Sequence, residues 1–375
     1  MKWILRGMAA LVLSTSACAA PPGVAAGEAS QDVVRIGGMS VARAAHQATR
    51  LPSGKVLVTG GCTGGCDATT DAVELFDPAT RRFETLPPLA VARNSHAAVA
   101  LDEGRAMVLG GWNDRQVTAT TEMFNPATNR FGPAADMTTA RGVPAVAKLA
   151  DGRLLVTGGQ TSDMAPLDSA EIFDPATGRF VATGNLGSPR MAHAAVALAD
   201  GRVLVIGGLP SRRGEVLRSA EIYDPATGRF EPTGDMGAPR FKHAAVRLAD
   251  GRVLVVGGAP RDNRDERHRS TELFDPATGR FTPGPDMQSQ RYKLPDGAVL
   301  LPSGDVLVAA GDARVERYDA KARQFVALTG EMDGAHEFAT ATVLDSGDVL
   351  VLGGYGEQME TTASSWWVRR QAGDR

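Results

Sequence analysis

Short apolar runs recur along this chain, and each closes on two small residues. Val203-Leu204-Val205-Ile206 precedes Gly207-Gly208, and the same pattern precedes Gly60-Gly61, Gly110-Gly111, Gly158-Gly159, Gly257-Gly258, Ala310-Gly311 and Gly353-Gly354. The intervals are 50, 48, 49, 50, 53 and 43 residues, a period that predicts a repeat architecture. The fourth copy shows the unit best. Its apolar stretches His193 to Leu198 and Val203 to Ile206 predict two strands, with Asp200-Gly201 as the turn between them. Glu221 to Asp224 predicts a third strand and Arg229 to Thr233 a fourth. Asp224-Pro225-Ala226-Thr227-Gly228 joins these last two, with Pro setting φ early in the turn and Gly closing it. Seven such four-stranded antiparallel units in a ring make an all-β propeller.

The first segment, Val33 to Met39, aligns with the fourth strand of copy four, and the last copy stops after a third strand at Thr362 to Val368. The amino-terminal strand is therefore expected to complete the seventh blade, which leaves no unpaired edge. The small pairs are expected near the channel, where blades crowd and a side chain would collide.

Two polar positions also repeat. Arg43, Arg93, Arg141, Arg190, Arg240 and Arg291 open strand one, with Lys293 as an alternative to Arg291 because copy six carries about two extra residues. Glu74, Glu122, Glu171, Glu221, Glu272 and Glu316 open strand three. In copy seven His336 and Ser364 are expected in their places. Joint loss predicts that the two groups pair, a guanidinium fork on a carboxylate in each blade. The rival reading is a ring of arginines that binds anions. His46, His96, His193 and His243 follow the arginines by three residues, and ring spacing favours core histidines over a metal site. Phe76, Phe124, Phe173, Tyr223, Phe274, Tyr318 and Trp366 hold one aromatic position; Phe83, Phe131, Phe180, Phe230, Phe281 and Phe325 hold another. Both predict core between blades.

These residues resemble the kelch repeat: a diglycine after strand two, then a spaced glutamate and aromatic at strand three. The resemblance covers residues from about 33 to 367 and implies a seven-bladed kelch β-propeller. The chain has no Trp-Asp pair of the kind that marks WD propellers. The resemblance also implies two function classes. One is a binding module. The other is a carbohydrate-active enzyme, because kelch propellers include copper-radical sugar oxidases and a sialic acid epimerase. Of the four tyrosines, Tyr223 and Tyr318 align to core positions, which leaves Tyr292 and Tyr355; no copper set is visible, and no cofactor is expected.

Binding is expected where the copies differ. The residues after the small pairs are Cys62, Trp112, Gln160, Leu209, Ala259, Asp312 and Tyr355, which should rim one mouth of the channel. Trp112, Gln160, Asp312 and Tyr355 are ligand candidates, although the two aromatics equally suit packing under their own loops. Copy six has four residues between Gly311 and Glu316, against twelve between Gly208 and Glu221, so the rim should be notched at blade six and raised at blades four and five. Arg212, Arg213, Arg264 and Arg267 give those raised loops a basic bias that could meet an acidic glycan or protein.

Charge and termini narrow the picture. A net charge of −3 gives no global field for nucleic acid. Lys2 and Arg6, an apolar stretch from Met8 to Leu13 and a small-residue run to Ala20 predict a secretory signal over residues 1–20. Thr15-Ser16-Ala17-Cys18 resembles a bacterial lipobox, with cleavage before Cys18 and lipidation there; ordinary cleavage after Ala19 or Ala20 is the alternative. Residues 21–32 read as a flexible tether, 33–368 as the propeller and 369–375 as a tail. The expected location is the periplasm or, through a lipid, the outer membrane, as a monomer that touches membrane only by that anchor. Export implies an oxidising compartment, so Cys62 and Cys66 are expected to form a local disulfide across Thr63-Gly64-Gly65. The leading expectation is a cell-envelope module that binds protein or glycan through its strand 2–3 and 4–1 loops.

Overall fold

A computed structural model describes residues 31–212, 214–261 and 266–371. The predicted signal, Cys18, Arg213 and Arg264 lie outside the described residues. Seven four-stranded antiparallel sheets follow one another around a central channel. Blade four is typical: Ala194–Ala197, Val203–Ile206, Ala220–Asp224 and Arg229–Pro232, from the channel outward. Each first strand packs against the first strands of both neighbouring blades, so the ring is closed. The second strands are buried at every residue. Their apolar side chains and the paired aromatics of strands three and four fill the space between blades; Tyr223 and Phe230 have ring centroids 4.7 Å apart. Such burial of aliphatic strands on both faces is the main stabilising term, about 25 cal/mol per Å² of apolar surface.

The ring closes as the sequence predicts. Val33–Ile36 pairs with Ser365–Val368, and this sheet also contains Thr340–Val343 and Val349–Leu352. The side chain of Asp32 tightens the seam, accepting from the Thr329 amide (2.9 Å) and from the Gln371 amide (2.8 Å).

The diglycines hold the hub. Gly110 and Gly111 have φ of 62° and 95°, and a Cβ on Gly111 would stand 2.7 Å from both the Asn94 carbonyl and the His96 Cβ. A Cβ on Gly110 would stand 2.5 Å from the Arg141 carbonyl of the next blade, so a side chain at the first glycine would push adjacent blades apart.

One open alternative closes and one expectation is corrected. Arg291, not Lys293, is the sixth repeat arginine, since it meets Glu316 at 2.8 Å. In blade seven the third strand begins at Ser365, and its register is offset from the expected one. Val205 faces Glu221 in blade four, and the equivalent Val351 faces Trp366. Trp366 therefore stands in the glutamate place, and Ser364 takes the place of Ser219, whose carbonyl receives the first glycine's amide. Without a glutamate or a following turn in this copy, the aromatic was the only marker for alignment.

Candidate functional site at the channel mouth

The repeat arginines build the floor on which the mouth stands. In blade three, Arg141 Nη1 donates to the carbonyls of Gly158 (2.9 Å) and Ser169 (2.8 Å). Its Nη2 donates to Ser169 Oγ and Glu171 Oε1, both at 2.9 Å, and its Nε also reaches Glu171 (3.2 Å). Glu171 in turn accepts the amides of Thr138 (2.6 Å) and Thr139 (3.2 Å) from the loop entering the blade. The Arg190 carbonyl accepts the Gly159 amide of the preceding blade (2.9 Å), so each arginine joins two blades.

The pairs Arg43–Glu74, Arg93–Glu122, Arg190–Glu221, Arg240–Glu272 and Arg291–Glu316 repeat this ion pair. Burial lowers the pKa of Arg43, Arg93, Arg141, Arg190 and Arg240, and the facing glutamates oppose it. Guanidiniums so engaged are not available to an anion, which removes the anion-ring reading. Blade seven substitutes for the pair. His336 Nδ1 donates to the Gly353 carbonyl (3.0 Å), its Nε2 lies 2.9 Å from Asp333, and its ring meets Trp366 edge-on at 4.2 Å. The carboxylate has moved from strand three to the incoming loop, and Arg35 of the first strand pairs with it at 3.3 Å.

The four repeat histidines stand between blades, not together. Nε2 of His46, His96 and His193 lies 3.1, 3.0 and 2.9 Å from Thr340, Thr59 and Thr157. His243 faces Ile206 at the matching place and has no hydrogen-bond partner on either nitrogen. Burial lowers all four, His46 and His243 to about 3, so all four are neutral. Among the described residues no group of three or more His, Cys, Asp or Glu is placed to hold a metal.

Two residues after each repeat arginine, and after His336 in blade seven, the backbone turns left-handed without glycine. Ala45, Ser95, Val143, Ala192, Lys242, Lys293 and Phe338 have φ between 49° and 57°. Amides link five pairs of these neighbours: Ser95 to Ala45 (2.9 Å), Val143 to Ser95 (3.0 Å), Lys242 to Ala192 (2.9 Å), Phe338 to Lys293 (2.7 Å) and Ala45 to Phe338 (3.3 Å), and the Lys242 carbonyl accepts the Leu294 amide (3.2 Å). This collar offsets a backbone strain of about 1 kcal/mol or more at each position. Sequence reading missed it, because the position takes almost any residue type; the signal available was variation at a fixed distance from the arginine.

A cavity of about 550 Å³ opens inside the collar. Trp112 and Gln160 line it, each on the first residue of a strand 2–3 loop. Gly142 makes room for Trp112, since a Cβ there would lie 2.5 Å from the indole nitrogen. Asn94, Ser95, Gln47, Asp296 and Lys242 add polar groups to an otherwise apolar wall. Asp296 is exposed to the channel yet ringed by protein, which raises its carboxyl above the usual range, while the Gln47 amide pulls it back.

Tyr355 and Asp312 do not line this cavity. Tyr355 is buried, and its hydroxyl accepts from Lys293 Nζ at 2.8 Å. Lys293 also donates to Glu337 (3.0 Å), and Lys242 donates to the Tyr292 hydroxyl (3.0 Å). Asp312 accepts the Arg314 amide within its own short loop (2.9 Å). The notch this loop leaves at blade six is spanned from blade five: Arg267 reaches Glu337 of blade seven at 3.3 Å, its side chain 14% exposed. The basic loop is not an open patch there. Arg218, Arg261 and Arg269 likewise face Asp235, Glu266 and Asp286, while Arg212 is exposed. Cys62 and Cys66 are joined by a disulfide, with Cα atoms 4.7 Å apart, in the blade-one loop.

Comparison with known families meets this geometry at its hub. A model of the Kelch motif matches residues 93–138 and 190–237, and a second Kelch-motif model matches residues 239–288. Each matched segment opens at or beside a hub arginine: Arg93, Arg190 or Arg240. The chain is a kelch-repeat β-propeller. No curated protein matches it. Kelch propellers are commonly protein-binding modules, and in this kelch propeller the scaffold residues are spent on the hub while the loops around the mouth differ from blade to blade.

Proposed function

We propose that this kelch propeller is an exported binding module of the cell envelope, which holds a protein or glycan partner against the face made by its strand 2–3 and 4–1 loops. One observation carries the reading: strand 2–3 loops of blades two, three and four, which differ from one another, reach one cavity beside a hub whose arginine–glutamate pair repeats in six blades. Rigid scaffolds with varied loops are built for recognition. Trp112 supplies a flat apolar surface and Gln160, Asn94 and Ser95 supply hydrogen bonds beside it, the combination that suits a sugar ring or a peptide turn. The amino-terminal pattern ending at Cys18 supports export with lipid anchoring.

An oxidase-like pocket would need substrate at Tyr292 or Tyr355. These are 1% and 3% exposed, so the oxidase alternative has no open tyrosine to act through. The test is a glycan array and an envelope-fraction binding assay with wild type, Trp112→Ala, Gln160→Ala and Thr177→Ala. Binding is expected to fall in the first two variants and persist in the third, which lies on the opposite face. Loss through Thr177→Ala alone would overturn the proposal.

A further inference from the structure

Two departures from the repeat meet inside the collar. Strand one opens with alanine in blades two to five: Ala97, Ala145, Ala194 and Ala244. Blade one has Gln47 at this place. Blade six has an extra turn, closed by the Gly297 amide on the Leu294 carbonyl (3.0 Å), and this turn carries Asp296 into the channel. Gln47 Nε2 donates to Asp296 Oδ2 at 2.9 Å, although blade seven lies between their blades. Backbone pins the turn on both sides: the Ala341 amide donates to the Asp296 carbonyl (2.8 Å), and the Ala309 amide donates to the Gly297 carbonyl (2.8 Å). Among the described residues, Asp296 has no ion-pair partner. The walls around it mix the apolar side chains of Val143, Met164, Met191, Leu209, Phe241 and Phe338 with Asn94, Ser95, Gln160 and Lys242, and Lys242 is turned to the Tyr292 hydroxyl (3.0 Å).

We infer that the channel mouth binds an organic cation: a protonated amine on an apolar body of small-molecule size, with Asp296 as its anchor and Gln47 positioning the carboxylate. The inference rests on the mouth being a binding face and adds the class of ligand. Asp296 is exposed to the channel and held in place by Gln47, so its carboxylate can meet a ligand ammonium in a charge-assisted hydrogen bond. Oδ1 is left to face the ligand while Oδ2 stays with Gln47. Trp112 lines the same cavity and offers an apolar surface to the ligand's body, while the Phe241 and Phe338 rings already carry Lys242 at 5.0 and 6.0 Å. The cavity volume falls in the range of small-ligand sites. An anion of the same shape would meet Asp296 as a like charge, with Lys242 of the same cavity engaged by the Tyr292 hydroxyl.

The test uses three probes of one skeleton: phenethylamine, hydrocinnamamide and hydrocinnamate. Each is titrated into the propeller by calorimetry and followed by amide NMR shifts. The amine is expected to bind about tenfold more tightly than the amide, with the acid weaker still. Asp296→Asn keeps the Gln47 bond and should erase the amine's advantage, with an unchanged melting temperature showing that the fold is intact. Gln47→Ala, the residue of blades two to five, should weaken amine binding by a smaller factor. Equal binding of amine and amide, or amine binding untouched by Asp296→Asn, overturns the cation inference and leaves the mouth as a binding face. Binding by none of the three also overturns it, while the glycan and envelope assays with Trp112→Ala judge the face itself.

Discussion

Blades two to four and blades five to seven are built from one unit but treat the channel differently. In the first arc the collar side chains are Ser95, Val143 and Ala192, and strand one opens with alanine. In the second arc the collar carries Lys242, Lys293 and Phe338, an extra turn places Asp296, and Glu337 gathers Lys293 and Arg267. Blade seven even exchanges the arginine–glutamate pair for His336, Asp333 and Trp366. The first arc shows what the fold requires. The second shows what has been added to it, and the additions lie beside the cavity.

The sharpest break comes from the hub. Arg141→Ala leaves Glu171 buried without its partner and should cost about 3–5 kcal/mol in urea denaturation. The double change Arg141→Met with Glu171→Leu should recover much of that loss, because no orphan charge remains. If the single variant costs no more than an exposed arginine, the hub is not what holds the first arc. Next in size is Glu337→Ala, which strands Lys293 beside Tyr355 and frees Arg267. A loss of about 2–3 kcal/mol is expected by the same assay, and none would show that the second arc's cluster is idle.

Smaller and opposite effects separate two histidines. His96→Leu orphans the Thr59 hydroxyl and should lose about 1 kcal/mol. His243→Leu removes two unsatisfied nitrogens, and Leu294 already fills this place in blade six, so a gain of about 1 kcal/mol is expected. Acid should shift both variants toward a gain. The unfolded histidines take up protons near their ordinary pKa of about 6.5, while the folded ones remain neutral to about 3 at His46 and His243. Stability is therefore full above that ordinary value and falls as pH drops between the two. His243→Leu should flatten the dependence of melting temperature on pH in this window, and an unchanged slope would contradict a neutral buried His243. The least effect is expected from Arg212→Ala on the raised rim, within about 0.5 kcal/mol.

What was legible follows from chemistry. In blades one to six, the Asp or Asn that closes strand three and the aromatics beside it mark the register directly. The small pairs mark the hub, because only residues without bulk fit there. Blade seven misled because Trp366 looks like the core aromatic while the sheet sets it opposite Val351. The collar was invisible because it is made by backbone dihedrals, which Ala45, Val143, Lys242 and Phe338 adopt without a common side chain. The two extra residues of copy six were visible as a length, but only coordinates show that they carry Asp296 to Gln47.

The central claim is that recognition belongs to the face of the mouth. Its most direct test is a photo-crosslinking residue placed either at Gln160, on the cavity, or at Thr177, exposed in a strand 3–4 turn on the other face. In intact cells, a discrete adduct from position 160 that Trp112→Ala abolishes, with none from position 177, is the predicted result. Adducts from position 177 alone, or equally from both, would contradict the account.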